Sequence, residues 1–356
     1  MPPTPQYVWP LLCQRVGATV WVKHENHTPT GAFKIRGGIT FIDWLRRNNP
    51  KVAGIVTATR GNHGQSQARA ATAAGLKAKI LVPHGNSVEK NASMRAFGAE
   101  VIEFGRDFDE ARVEAMRLAD AEDLFMVPPL HRELVRGVAT YALELFTKVA
   151  TLDTVYVPIG CGSGICGIIT VRDLLGLKTK VVGVVSTEAQ AAKLSFESGC
   201  LTETASAHTI ADGMAVRVPI AEAFALYSKG ADRIVAVSDD EVAEAMRIYY
   251  RDTHNLAEGA GAAPLAALLK EQDEMQGKEW YMAVAAPTNG DSCPRLEDIA
   301  AFRIPGDRII KLHVGTWHAG PHFKHQECLF MNLENEDTNT QDFQDVALPH
   351  ECQIKD

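Results

Sequence analysis

One lysine, Lys34, stands in a sequence context suited to covalent chemistry with a carbonyl group. Its neighbours Phe33 and Ile35 are apolar, and small residues flank them in the stretch GAFKIRGG. A lysine that is partly removed from water loses some of its preference for the charged form, and the neutral amine can form a Schiff base. The alternative is a solvated surface lysine, which is the commoner environment of this residue type.

Two glycine-containing segments could bind anions. The stretch Thr57–Ala68 (TATRGNHGQSQA) follows a predicted strand and opens a predicted helix, so its backbone N–H groups could hold a carboxylate. In Val157–Gly167 (VPIGCGSGICG), closely spaced glycines could let amides surround a phosphate. That spacing matches neither the dinucleotide pattern GxGxxG nor the nucleotide P-loop. Each segment could instead be a structural turn or an ordinary helix cap.

Two later segments are rich in small residues. They are Asp212–Pro219 (DGMAVRVP) and Glu258–Ala263 (EGAGAA). Small side chains allow the backbone to approach a ligand closely, although each segment could equally be a helix packing contact.

The elements that must position these segments alternate between strand and helix. This alternation predicts parallel sheets covered by helices. Strand patterns occur at Val52–Ala58, Ala78–Val82, Val101–Phe104, Thr154–Pro158 and Val181–Ser186, and helical patterns at Gln65–Ala74, Val88–Phe97 and Phe108–Ala121. Two more strands, Trp280–Pro287 and Ile309–Val314, are predicted in a C-terminal region of different composition.

Length and composition narrow the class of protein. A chain of 356 residues predicts two domains, with room for an added tail. The net charge of −8 argues against a nucleic-acid surface, and no apolar run suggests a membrane span or a signal peptide. The seven scattered cysteines do not resemble a disulfide framework, so we expect reduced thiols and a cytoplasmic protein.

Five motifs together resemble those of a known family. The segments TGAFKIRG, GNHGQ, VPIGCGSG, DGMAV and EGAGA stand in the order found in the serine/threonine dehydratases. This group of fold type II pyridoxal 5′-phosphate enzymes includes threonine ammonia-lyase and serine racemase. The resemblance covers roughly residues 4–270 and implies an α/β fold like that of the tryptophan synthase β subunit, with two open, twisted, mostly parallel sheets flanked by helices.

The resemblance also implies a domain organisation and an assembly. Residues 1–37 and 137–290 would form a large cofactor-binding domain, and residues 38–136 a small domain that carries the substrate loop. Residues 291–356 would be a divergent C-terminal extension. The family habit is a homodimer, and the partner would be a small amino acid rather than nucleic acid or membrane.

The same resemblance assigns roles to individual residues. Lys34 would carry the cofactor as a Schiff base and transfer the proton during catalysis. The cofactor-binding residues would be Phe33, Lys34, Asn62, Gly160, Cys161, Gly162, Ser163, Gly164, Glu258 and Thr288. The substrate would be held by Thr59, Arg60, Gly61, Asn62 and His63.

The implied reaction is elimination of water from L-threonine, L-serine or a related β-hydroxy amino acid, which yields a 2-keto acid and ammonia. Within the same class, 3-hydroxyaspartate and phenylserine are alternative substrates. From a different class, the chain could be a non-catalytic regulatory relative that binds pyridoxal phosphate, and its tail could be a small-molecule-binding or oligomerisation module.

The chain departs from the family pattern at two places. Arg60 replaces a small residue or, as in serine racemase, the serine that serves as the second acid/base, so we expect no efficient racemase. An arginine there could bind a second carboxylate, or it could point away. Val185, Gln190 and Ala191 replace the acids of the family's cation site, and we therefore predict no metal, although Glu188 is nearby.

The C-terminal region faintly resembles part of another family. Leu296–Phe302, Gly315–Pro321 and Asn332–Asn339 are similar to segments of ureidoglycolate lyase, but about eighty residues are too few for that family's complete barrel. Histidines are also frequent here, at spacings that fit no standard metal pattern. The residues in question are His313, His318, His322 and His325, with Glu327.

Overall fold

The computed structural model describes residues 1–149, 151–276, 280–285, 298–304 and 316–322, and the chain divides into two units, residues 1–269 and 270–356. The strands of the first unit are β1 (Gln6–Val8), β2 (Trp21–Lys23), β3 (Gly54–Ala58), β4 (Lys77–Val82), β5 (Glu100–Glu103), β6 (Phe125–Met126), β7 (Thr154–Pro158), β8 (Lys180–Ser186) and β9 (Arg233–Val237). The helices are α1 (Pro10–Val16), α2 (Lys34–Asn48), α3 (Asn62–Ala73), α4 (Val88–Ala96), α5 (Phe108–Ala121), α6 (Arg132–Lys148), α7 (Ser163–Leu174), α8 (Ala191–Ser198), α9 (Ala221–Gly230), α10 (Asp239–Thr253) and α11 (Gly259–Gln276).

A parallel sheet in the order β5-β4-β3-β6 forms the core of residues 54–126. Because successive strand residues point to opposite faces, each strand serves two hydrophobic layers. Ile55 and Ile80 pack with buried residues of α2 and α3, whereas Val56 and Leu81 pack with α5. Burial on both faces explains why these strands read as continuous apolar runs.

A second parallel sheet, in the order β7-β8-β9, is also covered on both faces. Val181 and Val185 belong to the cluster that includes α6 and α7, and Val184 belongs to the cluster that includes α10 and α11. The predicted α/β class with parallel sheets flanked by helices is therefore confirmed. A short antiparallel pair, β1 with β2, was not predicted.

Helix α3 begins earlier than its apolar pattern indicated, at Asn62 rather than Gln65. The hydroxyl Oγ1 of Thr59 explains the difference, because it accepts hydrogen bonds from the N–H groups of Gly61 and Gly64 at 3.0 and 3.3 Å. These contacts satisfy amides at the helix start that have no intrahelical acceptor. The predicted boundaries of β3 and β5 also differ from the observed ones by one or two residues.

In the second unit, β10 (Trp280–Ala285) is the central strand of an antiparallel sheet, flanked by β11 (Ala300–Ile304) and β12 (Trp317–His322). The predicted strand Ile309–Val314 lies outside the described residues. The division into domains 1–37 with 137–290, 38–136 and 291–356 stays a prediction. No helix among the described residues is long and apolar enough to cross a membrane.

Candidate active site

A cavity of about 560 Å³ lies at the carboxyl ends of β3 and β7, where ligand sites of parallel sheets are commonly found. Its volume is within the range of small-molecule sites. Both sheets contribute to its wall. The lining includes Thr59, Arg60, Asn62, His63, Lys90 and Arg112 from the side of the first sheet, and Gly160, Cys161, Gly162, Ser163, Gly164, Asp212, Arg217 and Glu258 from the side of the second.

Lys34 is the first residue of α2, and its side chain lines the cavity. Its Nζ donates a hydrogen bond of 2.7 Å to Oγ of Ser163, and it lies 5.1 Å from the centre of the Phe33 ring. Burial lowers the pKa of Lys34. This shift favours the neutral amine, which is the form that Schiff-base chemistry requires.

The glycine-rich loop between β7 and α7 fits a phosphate group. Gly162 is the N-cap of the 12-residue helix α7, with a φ of 92° and no side-chain cap. The first amides of the helix therefore have no intrahelical acceptor and can bind an anion. A side chain at Gly160 would collide with the carbonyl oxygen of Gly213, and one at Gly164 would meet the Phe33 ring at 3.4 Å. The loop and Lys34, brought together by Ser163, suit a cofactor that carries both an aldehyde and a phosphate.

The turn between β3 and α3 lines the same cavity. Gly61 is the N-cap of α3 and supplies no side-chain cap, so the amides of Asn62 and His63, which Thr59 does not cap, can bind a carboxylate. Arg60 is exposed and His63 is partly buried, and both line the cavity. Predicted anion-binding segments from distant parts of the sequence thus meet in one place.

His63 is held in its neutral form. Burial, together with the charge of Lys34, lowers the pKa of His63 to about 3. Its Nε2 is buried and has no hydrogen-bond partner among the described residues. A buried polar atom that faces a cavity without a partner is a position that a bound ligand can satisfy.

We expect His63 to show no protonation step between about pH 5 and pH 8 in an NMR titration. The unfolded chain takes up this proton near the ordinary pKa of 6.5, so the free energy of unfolding should decrease as the pH falls below that value. The cofactor-free parent should lose free energy of unfolding between pH 7 and pH 5. In His63→Gln this loss should be smaller by about 1–2 kcal/mol, measured by urea unfolding. The exposed His208 of the same cavity provides the control variant His208→Gln. A His63 signal that titrates near 6.5 would contradict this prediction.

An ion cluster that the motifs did not indicate joins the two walls of the cavity. Nζ of Lys90, on α4, lies 2.7 Å from both carboxylate oxygens of Asp212 and 3.0 Å from Oε2 of Glu258. The other oxygen of Glu258 accepts a hydrogen bond from Nδ2 of Asn62. Although burial disfavours the ammonium form, the carboxylates of Glu258 and Asp212 raise the pKa of Lys90.

The other residues predicted from the sequence are the cysteines, Thr288 and the histidines of the C-terminal region. Burial raises the pKa of the Cys161 thiol, so this loop residue remains protonated. The four described cysteines are free thiols. Thr288 lies outside the described residues, as do His313, His325 and Glu327, and its proposed cofactor contact stays a prediction. No group of three or more His, Cys, Asp or Glu residues in the described ranges is arranged to hold a metal ion.

Comparison with known proteins agrees with this site. Residues 2–285 match the family described as pyridoxal-phosphate dependent enzyme. The chain is 34% identical over 278 residues to a biosynthetic L-threonine dehydratase of Haemophilus influenzae, covering 77% of this chain and 54% of the relative. It is 34% identical over 270 residues to an L-threonine ammonia-lyase of Geobacter sulfurreducens, covering 74% and 66%. These alignments thus span about half to two thirds of the relatives' lengths.

A solved structure is similar over the same part of the chain. The processed form of threonine deaminase isoform 2 from Solanum lycopersicum superposes with a TM-score of 0.72 at 28% identity, covering 77% of this chain and 80% of that one. Maize serine racemase superposes with a TM-score of 0.73 at 25% identity, covering 78% and 84%. The resemblance of the C-terminal region to ureidoglycolate lyase is not tested by these similarities and stays a prediction.

Proposed function

Because this chain belongs to the pyridoxal-phosphate dependent enzyme family, we propose that it is an ammonia-lyase that dehydrates a β-hydroxy amino acid. The substrate would be L-threonine, L-serine or a close relative, and the products a 2-keto acid and ammonia. The observation that carries the proposal is the position of Lys34, whose Nζ lies 2.7 Å from Ser163 in a cavity that also holds an anion-binding turn. The relatives named as threonine dehydratase and threonine ammonia-lyase support the same reaction.

Different residues of this chain would bind the cofactor, hold the substrate and transfer the proton. Bound pyridoxal phosphate supplies an electron sink for the Cα of the amino acid. The glycine loop would hold its phosphate, and the turn Thr59–His63 would hold the substrate carboxylate and so orient the Cα–H bond. Lys34, whose pKa is lowered by burial, would accept the Cα proton at Nζ, with the hydroxyl of Ser163 keeping that atom in place.

The overall reaction balances without an oxidant or a reductant. The Cα–H bond breaks as the proton moves to Lys34, and the β C–O bond breaks as the hydroxyl leaves with a proton as water. The unsaturated amine that is released then takes up one water and yields the keto acid and ammonia. The protein therefore needs to provide orientation and proton transfer rather than further redox chemistry.

The proposal extends to the state of the protein in the cell. We propose a cytoplasmic homodimer that acts on free amino acids, without a nucleic-acid or membrane partner. The net charge of −8 and the lack of a disulfide among the four described cysteines support this setting. Light scattering of the full chain during gel filtration tests the assembly, and a monomeric mass would reject the dimer.

The test of the reaction is an absorbance spectrum of the purified protein reconstituted with pyridoxal phosphate. The visible band of the lysine-bound cofactor should appear and should change when threonine, serine, 3-hydroxyaspartate or phenylserine is added. At least one of them should give keto acid and ammonia in equal amounts. A protein that binds the cofactor but releases neither product from any of the four would instead be a non-catalytic relative.

A further inference from the structure

Arg60 presents a charged group to the cavity, and no residue in the described part of the chain provides its counter-ion. Its side chain is exposed and lines the cavity beside the turn that can bind a carboxylate. Among the residues that the structure describes, it forms no hydrogen bond or ion pair. A guanidinium group offers five donors in a planar arrangement that matches a carboxylate.

The acidic side chains of the cavity are already engaged elsewhere. Asp212 and Glu258 both bind the ammonium group of Lys90. Oδ1 of Asp107 accepts the hydrogen bond from the backbone N–H of Glu110 that begins α5. No acid of the wall is therefore committed to Arg60, which leaves its charge available to a ligand.

The cofactor phosphate is not the natural counter-ion of this guanidinium. The phosphate would be held by the loop Gly160–Gly164 and by the first amides of α7, which belong to the second sheet. Arg60 instead follows β3 of the first sheet and directly precedes Gly61, the N-cap of α3. Its nearest anion would thus belong to the amino acid held at this turn.

We propose that Arg60 binds a second carboxylate of the substrate, so that the preferred substrate is a β-hydroxy amino acid with an acidic side chain. The amides of the turn bind the α-carboxylate, and the guanidinium binds the carboxylate attached to the β-carbon. Of the simple β-hydroxy amino acids, 3-hydroxyaspartate has this arrangement. This inference rests on the proposed function and specifies the substrate of the same site.

The experiment compares two pairs of ligands in the holoenzyme and in Arg60→Gln. The first pair is 3-hydroxyaspartate and threonine, compared by kcat/KM for keto-acid release. The second pair is L-aspartate and L-alanine, which lack the β-hydroxyl that leaves and are compared by calorimetric binding. We expect Arg60→Gln to lower the aspartate-to-alanine affinity ratio and the hydroxyaspartate-to-threonine kcat/KM ratio about ten- to a hundredfold, the usual effect of losing a hydrogen bond between charged groups.

Two further variants show whether the effect belongs to this guanidinium. Arg60→Lys keeps the charge without the planar pair of donors and should recover only part of each ratio. Arg69→Gln is the matched control, because Arg69 is an exposed arginine of α3 that stacks on Phe97 outside the cavity. It removes the same charge from the helix that follows Arg60 and should leave both ratios unchanged.

The outcomes separate this inference from the proposed function. Threonine turnover with ratios that Arg60→Gln does not alter would reject the second carboxylate site and keep the dehydratase. Aspartate binding that depends on Arg60, in a protein that eliminates water from no substrate, would keep the site and reject the reaction. An equal decrease of the two ratios in Arg60→Gln and in Arg69→Gln would show a general effect of net charge. That result would also overturn the inference.

Discussion

Replacing Lys34 with alanine is expected to reduce keto-acid formation by at least about a thousandfold, because we propose that this one side chain both attaches the cofactor and transfers the Cα proton. The visible absorbance of the lysine-bound cofactor should disappear in the same variant. Lys34→Arg should be equally inactive, since a guanidinium keeps the positive charge but supplies no neutral amine. The measurements are the rate of keto-acid release and the spectrum of the reconstituted protein.

Loss of activity in these variants must be distinguished from misfolding. The thermal stability of Lys34→Met makes this distinction. Burial lowers the pKa of Lys34, so the unfolded chain binds this proton more readily than the folded one. Because of this difference in proton binding, Lys34 lowers the free energy of unfolding at neutral pH. The destabilisation becomes smaller as the pH rises towards the ordinary pKa of lysine. In the cofactor-free protein, Lys34→Met should therefore unfold at the same temperature or about 2–4 °C higher.

The two measurements together identify the role of the lysine. A variant that is inactive and at least as stable as the cofactor-free parent shows that the side chain is kept for chemistry at the expense of stability. A variant that retains more than about a tenth of the parent activity would show that another group transfers the proton, and the assignment of Lys34 would fail.

Much of this site could be predicted because its parts are local in sequence. Lys34 between apolar neighbours, the turn Thr59–His63 and the loop Gly160–Gly164 each combine a strand end or helix start with small residues, and those patterns are visible within about ten residues. Parallel strands place each of these turns at the carboxyl edge of its own sheet, and the family resemblance assigned both turns to one site.

The parts that could not be predicted depend on long-range pairing. Lys90 lies in a polar helix pattern, and its carboxylate partners Asp212 and Glu258 are 122 and 168 positions away. Nothing in the local pattern around Lys90 distinguishes it from a solvated lysine, because the cost of its partial burial is offset by residues that are distant in the sequence. The start of α3 also differs from the prediction, because the hydroxyl of Thr59 caps the helix and lies outside the apolar pattern from which the helix was predicted.

Replacing Lys90 with methionine is expected to lower kcat/KM about ten- to a hundredfold, although this residue need not touch the substrate. The change leaves the carboxylates of Asp212 and Glu258 close together without their shared cation. Without the lysine that links α4 to these two carboxylates, the two walls of the cavity should move apart, and repulsion between the carboxylates should displace Glu258 from Asn62. We therefore regard Lys90 as a positioning residue that holds both walls around the ligand.

A distinctive pH profile separates this role from a general loss of stability. In Lys90→Met, protonation of one of the two facing carboxyls relieves the repulsion, so the optimum of kcat/KM should move to lower pH. Lys90→Met with Asp212→Asn should recover part of the activity at neutral pH for the same reason, and Lys90→Arg should recover part by restoring the cation.

A closely matched lysine on β4, the strand that precedes α4, provides the control. Lys79, on β4, also binds two carboxylates, those of Glu122 and Glu100, at 2.8 and 3.3 Å. Its side chain is 17% exposed, against 18% for Lys90, but it does not line the cavity. Lys79→Met should change stability slightly and leave kcat/KM and its pH optimum as they are. If the two variants behave alike, Lys90 is only a structural ion pair. If only Lys90→Met loses activity and shifts its optimum, then closure of the cavity depends on a cation held between the two sheets.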